Sequence, residues 1–269
     1  MNDDLLTSAG PDAMKACCAA AYEQDVVALV LGESYHPGGV ELTRHLARNL
    51  GLGPGQRVLD VASGPGTTAL VLAEEFGVQV DGVDLGETSV ARSRTAAAGR
   101  GLTESVRFHV GDAEHLPFPE ATFDAVVCEC AFCTFPTKSL AAAEFARVLR
   151  PGGRIGLTDV TLDPARLDPQ LATLAGYVAC LADARPATEY ETLLAAAGLS
   201  TVVSEPHDEA LGAMIDQIEA RVRAISILNL PGVTFDLDAI LGYLAAAQGA
   251  VSNGVAGYQL LVAEKRSSP

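Results

Sequence analysis

The sequence predicts an α/β protein built on a seven-stranded, mostly parallel sheet, with an N-terminal helical cap and helical insertions near the C-terminus. Three observations lead there. Arg57–Leu70 reads as a strand, a glycine turn and a helix in immediate succession: Val58–Ala62 is a short apolar run holding one carboxylate, Ser63–Gly66 is a run of small residues, and Thr67–Phe76 has a helix composition. Short apolar runs and helix-length segments then alternate from Gln56 onwards, the rhythm of parallel strands joined by crossovers. In that topology the loops after the first four strands share one edge of the sheet, where open α/β sheets bind ligands.

Taken in order, residues 1–50 lack strand alternation and form the cap. Asp12 is placed to cap a helix over Ala13–Leu31, which Gly32 ends; Tyr35–Gly39 is a loop, and Val40–Leu50 a second helix closed by Gly51 and Gly53. Such a segment covers an edge of a core rather than folding alone. The main domain spans 51–269. Strands are expected at Val58–Ala62, Val78–Val83 (ending in Asp84), Val106–Val110, Phe123–Cys128 and Arg154–Asp159. Helices fall at Thr88–Arg100 and Ser139–Leu149, and Arg150–Gly153 is a turn. Beyond Thr161 the rhythm slackens. Helices at Pro164–Ala182 and Ala187–Ala197 make one insertion (about 163–198), and Asp208–Leu228 with Leu237–Ala247 another (about 208–248). Ser200–Ser204 and Gly257–Glu264 are the last two strands.

The chain has 269 residues, 49% of them hydrophobic, which is ample for a sizeable core. No uninterrupted apolar run approaches the roughly 18–20 residues of a membrane span. Met1–Asp4 lacks the basic start and apolar middle of a secretory signal, so a cytoplasmic protein without a membrane partner is expected. A formal charge of −16, with Lys15, Lys138 and Lys265 as the only lysines, argues against nucleic acid and for a small or cationic substrate. Six cysteines occur: Cys17, Cys18, Cys128, Cys130, Cys133 and Cys180. Without a signal peptide a disulfide framework is not expected, which leaves metal binding, thiol chemistry or burial as small hydrophobes. Three of them within six residues weigh against burial alone.

At the ligand edge, a strand–turn–helix unit brings backbone N–H groups and a helix N-terminus to a ligand. Gly64-x-Gly66-x-x-Ala69 also fits a dinucleotide fingerprint. Asp60 argues otherwise, because a carboxylate just before the turn repels a pyrophosphate and suits a ligand carrying an ammonium group. Together, Asp60–Gly66, Asp84, Gly111-Asp112-Ala113 and Leu149–Gly153 resemble the class I S-adenosylmethionine-dependent methyltransferases over about residues 55–265. The resemblance implies a Rossmann-like fold and S-adenosylmethionine as cofactor. It implies that the backbone of Ala62, Ser63, Gly64 and Gly66 holds the methionine part beside Asp60. It further implies that Asp84, with Leu85 beside it, accepts both ribose hydroxyls, that Asp112 and the Ala113 N–H hold the adenine, and that Glu129 lies against the cofactor. The first glycine of the family's turn is Ala62 here.

A narrower resemblance covers Val126–Lys138 and Tyr177–Ala184, with Glu189-Tyr190 and Ala196–Leu199 following. These segments are similar to arsenite methyltransferases, and Cys130 and Cys180 fall in register with two of that family's cysteines. The family's upstream cysteine pair has no clean match, Cys17 and Cys18 being candidates, and its cysteine-rich C-terminal extension is missing. The resemblance implies trivalent arsenic as acceptor and an external thiol reductant as partner. Three thiolates would hold the soft ion in a pyramid and leave its lone pair to attack the methyl group. Cys130 and Cys180 would be joined by Cys133 or Cys128, or by Cys17 or Cys18. If Cys128 still belongs to its strand, period two points it to the side of Cys130, and the chain returns Cys133 towards both.

Rival readings stay open. Tetrahedral zinc held by this loop with Cys17 or Cys18 is one, although paired Cys-x-x-Cys knuckles are absent. A small organic acceptor is another, with His36 or Asp159 as base and the thiols incidental. A thiol metal-binding protein without turnover is a third. His36 also suits turn packing, Asp159 a cap, His109 packing against a neighbouring helix and His207 an exposed loop; Glu129 would orient substrate or raise thiol pKa values.

Overall fold

The structure, a computed structural model, describes residues 10–32, 34–172, 183–228 and 236–266. Its strands are β1 (Arg57–Val61), β2 (Gln79–Asp84), β3 (Val106–Val110), β4 (Phe123–Glu129), β5 (Leu149–Leu162), β6 (Leu199–Pro206) and β7 (Ala256–Lys265). They form one sheet in the order β3-β2-β1-β4-β5-β7-β6. β1 to β5 pair in parallel, while β7 runs antiparallel to both β5 and β6. The order reverses between β1 and β4, so the loops after these two strands diverge and open a crevice.

Strand alternation sorts the core into two layers. Val58, Val80, Ala125 and Val127 face α3 (Gly39–Leu50), α4 (Thr67–Phe76), α5 (Glu87–Gly99), α8 (Asp208–Leu228) and α9 (Leu237–Ser252). Leu59, Val61, Val126 and Cys128 face α6 (Lys138–Val148) and α7 (Ala187–Ala196). α3 is part of the core itself, burying Leu42, Thr43, Leu46, Ala47 and Leu50. Among the described residues no helix is long and apolar enough to cross a membrane.

Several boundaries differ from expectation for tertiary reasons. The helix expected over 13–31 is two, α1 (Pro11–Tyr22) and α2 (Asp25–Leu31), because Gln24 takes extended backbone (φ −69°, ψ 134°). Glu23 at that break accepts the Thr88 N–H at 2.8 Å, capping α5 with a side chain from another element. Gly10, not Asp12, caps α1, and Pro11 opens it where a missing N–H is harmless. β5 is far longer than the expected 154–159, since ten-residue β7 zips along it from Arg154 to Leu162. Arg150–Gly153 is looped out within β5, between the Phe123–Leu149 and Ala125–Arg154 pairs. Of the helix expected at 164–182, the described part is a single 3-10 turn, Pro164–Arg166, and residues 173–182 lie outside the described residues.

Candidate active site

β1 carries Asp60 to the sheet edge, and the chain turns at once into α4. Ala62 (φ 57°), Gly64 (φ 50°) and Gly66 (φ 86°) are all left-handed. Ala62 bears a steric cost there that glycine avoids. Gly66 has a second constraint, because a Cβ would lie 2.7 Å from the Phe108 ring and 2.9 Å from Ser93. The turn is closed by Gly66 N–H to the Ser63 carbonyl (2.8 Å) and Ser63 N–H to the Val83 carbonyl (3.0 Å). Asp84, ending β2, accepts the Gly64 and Gly86 N–H groups, each at 2.8 Å. Burial holds its carboxyl above the usual range, against the pull of those two bonds. Asp84 thereby ties two glycine loops into one rim, with lone pairs to spare for hydroxyl donors.

Two buried carboxylates form the floor. Asp60 is 2% exposed and its Oδ2 has no partner. Burial, then the charge of Glu129, push its pKa well above the carboxylate range. Glu129 Oε2 accepts the hydroxyls of Thr68 (2.6 Å) and Thr43 (3.0 Å) and lies 3.4 Å from His36 Nε2, while Oε1 has no partner. His36 Nδ1 is 3.1 Å from the Pro37 carbonyl, which only accepts, so that nitrogen carries a proton. Two orphaned carboxylate oxygens in one cleft suit a cationic group.

The cleft above them encloses about 1170 Å³, open solvent at its mouth included. Asp60, Ala62, Ser63, Gly64, Asp84, Leu85, Asp112, Ala113 and Glu129 all line it, whereas Gly66 shapes the turn from behind. Sequence reasoning missed Lys15 and Tyr22, which line it from the N-terminal segment, while the Tyr35–Gly39 loop adds Tyr35 and His36. Lys15 Nζ lies 2.6 Å from Asp112 Oδ2 and 2.8 Å from Glu114 Oε2. Burial works against its charge, but these two acids outweigh it and raise Lys15 above the ordinary lysine range. Its rarity, as one of three lysines, was the only signal the sequence carried.

The described cysteines divide between the core and the cleft. Cys128 is fully buried in the layer of Val61 and Phe132, and burial followed by the Asp159 charge pushes its thiol well up, the wrong direction for a thiolate ligand. Cys133 is 1% exposed in the opposite layer. Cys130 lies beyond β4 with φ 53°, so period two no longer holds there, and it lines the cleft. Cys18 of α1 lines the same cleft, and Cys17 is half-buried on the same helix without lining it. The five described cysteines stand as thiols, and Cys180 lies outside the described residues. Among the described residues the one cluster of three metal-ligating groups contains no cysteine, so Cys128, Cys130 and Cys133 do not form a cage by themselves, while the expected pairing of Cys130 with Cys180 reaches beyond the described residues.

Three other side chains also differ. Asp159 sits inside β5, does not line the cleft, and accepts the Cys133 N–H at 3.0 Å, fixing the post-β4 loop. His109 meets Asp81 of the adjacent strand at 2.9 Å rather than a helix. His207 is half-buried beside His45 and Glu205.

A family model described as "Methyltransferase domain" matches residues 58–153, the stretch from β1 through the looped-out glycines of β5. Residues 58–153 are thus similar to a methyltransferase domain, and the sheet around them has the mostly parallel, Rossmann-like order of the class I S-adenosylmethionine-dependent methyltransferase fold. Methyltransferase GfsG of Streptomyces halstedii is 32% identical over 139 residues, covering 52% of this chain and 50% of that protein. The arsenite methyltransferase of Halobacterium salinarum is 31% identical over 166 residues, covering 59% and 41%. The chain thus spans about half or less of these curated relatives. Phosphoethanolamine N-methyltransferase 2 of Haemonchus contortus, solved with phosphomonomethylethanolamine and S-adenosylhomocysteine, superimposes with a TM-score of 0.78 at 20% identity, covering 94% of this chain and 60% of that one. At that identity the likeness speaks for the fold. The cleft fits S-adenosylmethionine: Asp60 Oδ2 is an orphan for an ammonium group, and Asp84 keeps free lone pairs for ribose hydroxyls.

Proposed function

We propose that this methyltransferase methylates a small thiophilic acceptor, trivalent arsenic as arsenite, seated between Cys130 and Cys18. The observation that carries this reading is that both thiols, 112 positions apart, line the cofactor cleft. S-adenosylmethionine, when bound, supplies an electrophilic methyl whose bond to sulfur breaks with the electron pair staying on sulfur. Asp60, Ala62, Ser63, Gly64 and Glu129 would hold its methionine part, Asp84 its ribose, and Asp112 with Ala113 its adenine. Cys18 and Cys130 bind the soft ion, and an external thiol or Cys180 completes a pyramid that leaves the arsenic lone pair outward. That lone pair forms the new bond to carbon, so no base is required, and the arsenic complex gains positive charge. The unpartnered Glu129 oxygen stands in the cleft to offset that charge. The external thiol reduces pentavalent arsenic back, two thiols becoming one disulfide.

A second reading has its own observation: His36 lines the cleft, 3.4 Å from Glu129. With an organic hydroxyl or amine as acceptor, His36 would take its proton and Glu129 would steady the imidazolium. Labelled methyl transfer run with arsenite plus a thiol, and in parallel with organic acceptors, tests both. Cys130→Ser and Cys18→Ser should abolish arsenite methylation and leave cofactor binding intact. Turnover of an organic acceptor that survives both changes and is lost in His36→Asn overturns the metalloid reading.

A further inference from the structure

Outside the cleft, three ligating side chains converge from two elements and a junction. His45 projects from α3, Glu205 from the edge strand β6, and His207 from the residue linking β6 to α8. His45 Nε2 is 2.7 Å from Glu205 Oε2, and His207 Nε2 is 3.5 Å from the same oxygen. One ligand atom from each lies within 4.8 Å of the others. His207 Nε2 is buried without a hydrogen-bond partner. His45 Nε2 also has the Asn49 amide nitrogen at 3.1 Å. A ring nitrogen either donates to a carboxylate or accepts from an amide, so His45 cannot serve both neighbours at once.

We propose that His45, Glu205 and His207 form a binding site for a zinc-class divalent cation that clamps α3 to the edge of the sheet. Two imidazoles and a carboxylate are a donor set suited to zinc and its neighbours in the first transition row. Bonds of about 2.0–2.1 Å to a tetrahedral ion put donor atoms about 3.3–3.4 Å apart, between the closest and widest separations found here. Side-chain rotation of about an ångström closes the difference. The backbone is already fixed for it: His207 N–H donates to the Tyr258 carbonyl at 2.7 Å, anchoring the junction to β7. The three side chains remain partly exposed, 40%, 38% and 27% for His45, Glu205 and His207, so solvent can fill the remaining coordination position. The ion occupies lone pairs of all three groups, including the orphaned His207 nitrogen. The site does not line the cofactor cleft and stands independently of the acceptor assigned there.

The test must separate this site from the cysteines. The full chain, stripped with chelator, is titrated with cobalt(II), whose spectrum distinguishes nitrogen and oxygen ligands from sulfur by the absence of thiolate charge-transfer bands. One equivalent should bind with a nitrogen–oxygen signature, and zinc should displace it and raise the thermal midpoint. His207→Asn and Glu205→Gln should each weaken that binding by about tenfold or more, with circular dichroism and cofactor affinity unchanged. His45→Gln is the check should either variant misfold. No bound cobalt, a thiolate spectrum only, or affinity indifferent to all three substitutions overturns the proposal.

Discussion

Asp84 serves two masters, holding the Gly64 and Gly86 N–H groups while leaving lone pairs for the cofactor. Asp84→Ala should therefore weaken S-adenosylmethionine affinity by roughly 2–4 kcal/mol, through lost charge-assisted bonds and a loosened rim. Calorimetry showing unchanged affinity would contradict the assignment of the ribose site. Asp60 gives a prediction of opposite sign for stability. Its folded pKa lies above the usual value, chiefly through burial. Such an acid binds more protons folded than unfolded over the interval between its two pKa values, so stability falls as pH rises through that interval and stays lower above it. Without cofactor, Asp60→Asn should flatten that fall and be the more stable protein at neutral pH, yet bind S-adenosylmethionine more weakly. Asp84, shifted the same way, keeps some of the slope. Denaturation midpoints across pH decide it: a variant as pH-sensitive as the parent removes Asp60 as the cause.

α3 is the element that joins fold to site. Its buried face packs on β5 through Leu46 and Leu50, and Thr43 reaches Glu129 from the same helix. Contact is close enough that a Cβ on Gly156 would lie 2.7 Å from Leu46 Cδ1 and 2.9 Å from Leu50 Cδ1. Gly156→Ala should cost about 1–3 kcal/mol by overpacking, and less than that in a Leu46→Ala background, where the clashing Leu46 methyl groups are gone. A urea midpoint unmoved by Gly156→Ala would show that α3 has slack there. This contact also marks where sequence reading stops. Short apolar runs disclosed every strand, and the acids at Asp60, Asp84 and Asp112 marked the edge where the cleft lies, because each is local to one element. Nothing local says that Gln24 breaks a helix so that Glu23 can cap α5, or that β7 lengthens β5. Cys128 and Cys130 looked like neighbours on one side of a strand. The left-handed backbone of Cys130 moved one to the cleft and left the other in the core, and φ is not written in the residue's name.

Across the whole molecule, the cleft is closed by contacts between parts distant in sequence. Lys15 of α1 reaches Asp112 and Glu114 beyond β3, and Glu114 in turn accepts the Thr137 N–H at 2.6 Å, just before α6. At the other end of the cover, Arg221 of α8 donates to the Val30 and Leu31 carbonyls that end α2. One lysine therefore joins the cover, the Asp112 side of the rim and the loop that carries Cys130. Lys15 and Glu114 are 10% and 3% exposed, so the pair is little weakened by salt, and removing the lysine leaves a buried carboxylate without its counter-charge. Lys15→Met keeps the bulk and deletes the charge. Cofactor release should then quicken by roughly tenfold, about 1.4 kcal/mol, with the association rate changed far less. Residues 10–32 should also become more open to limited proteolysis, and bound S-adenosylhomocysteine should protect them less than in the parent. A dissociation rate equal to the parent's, with protection intact, would mean that Arg221 and the apolar contacts of α1 hold the cover closed without Lys15.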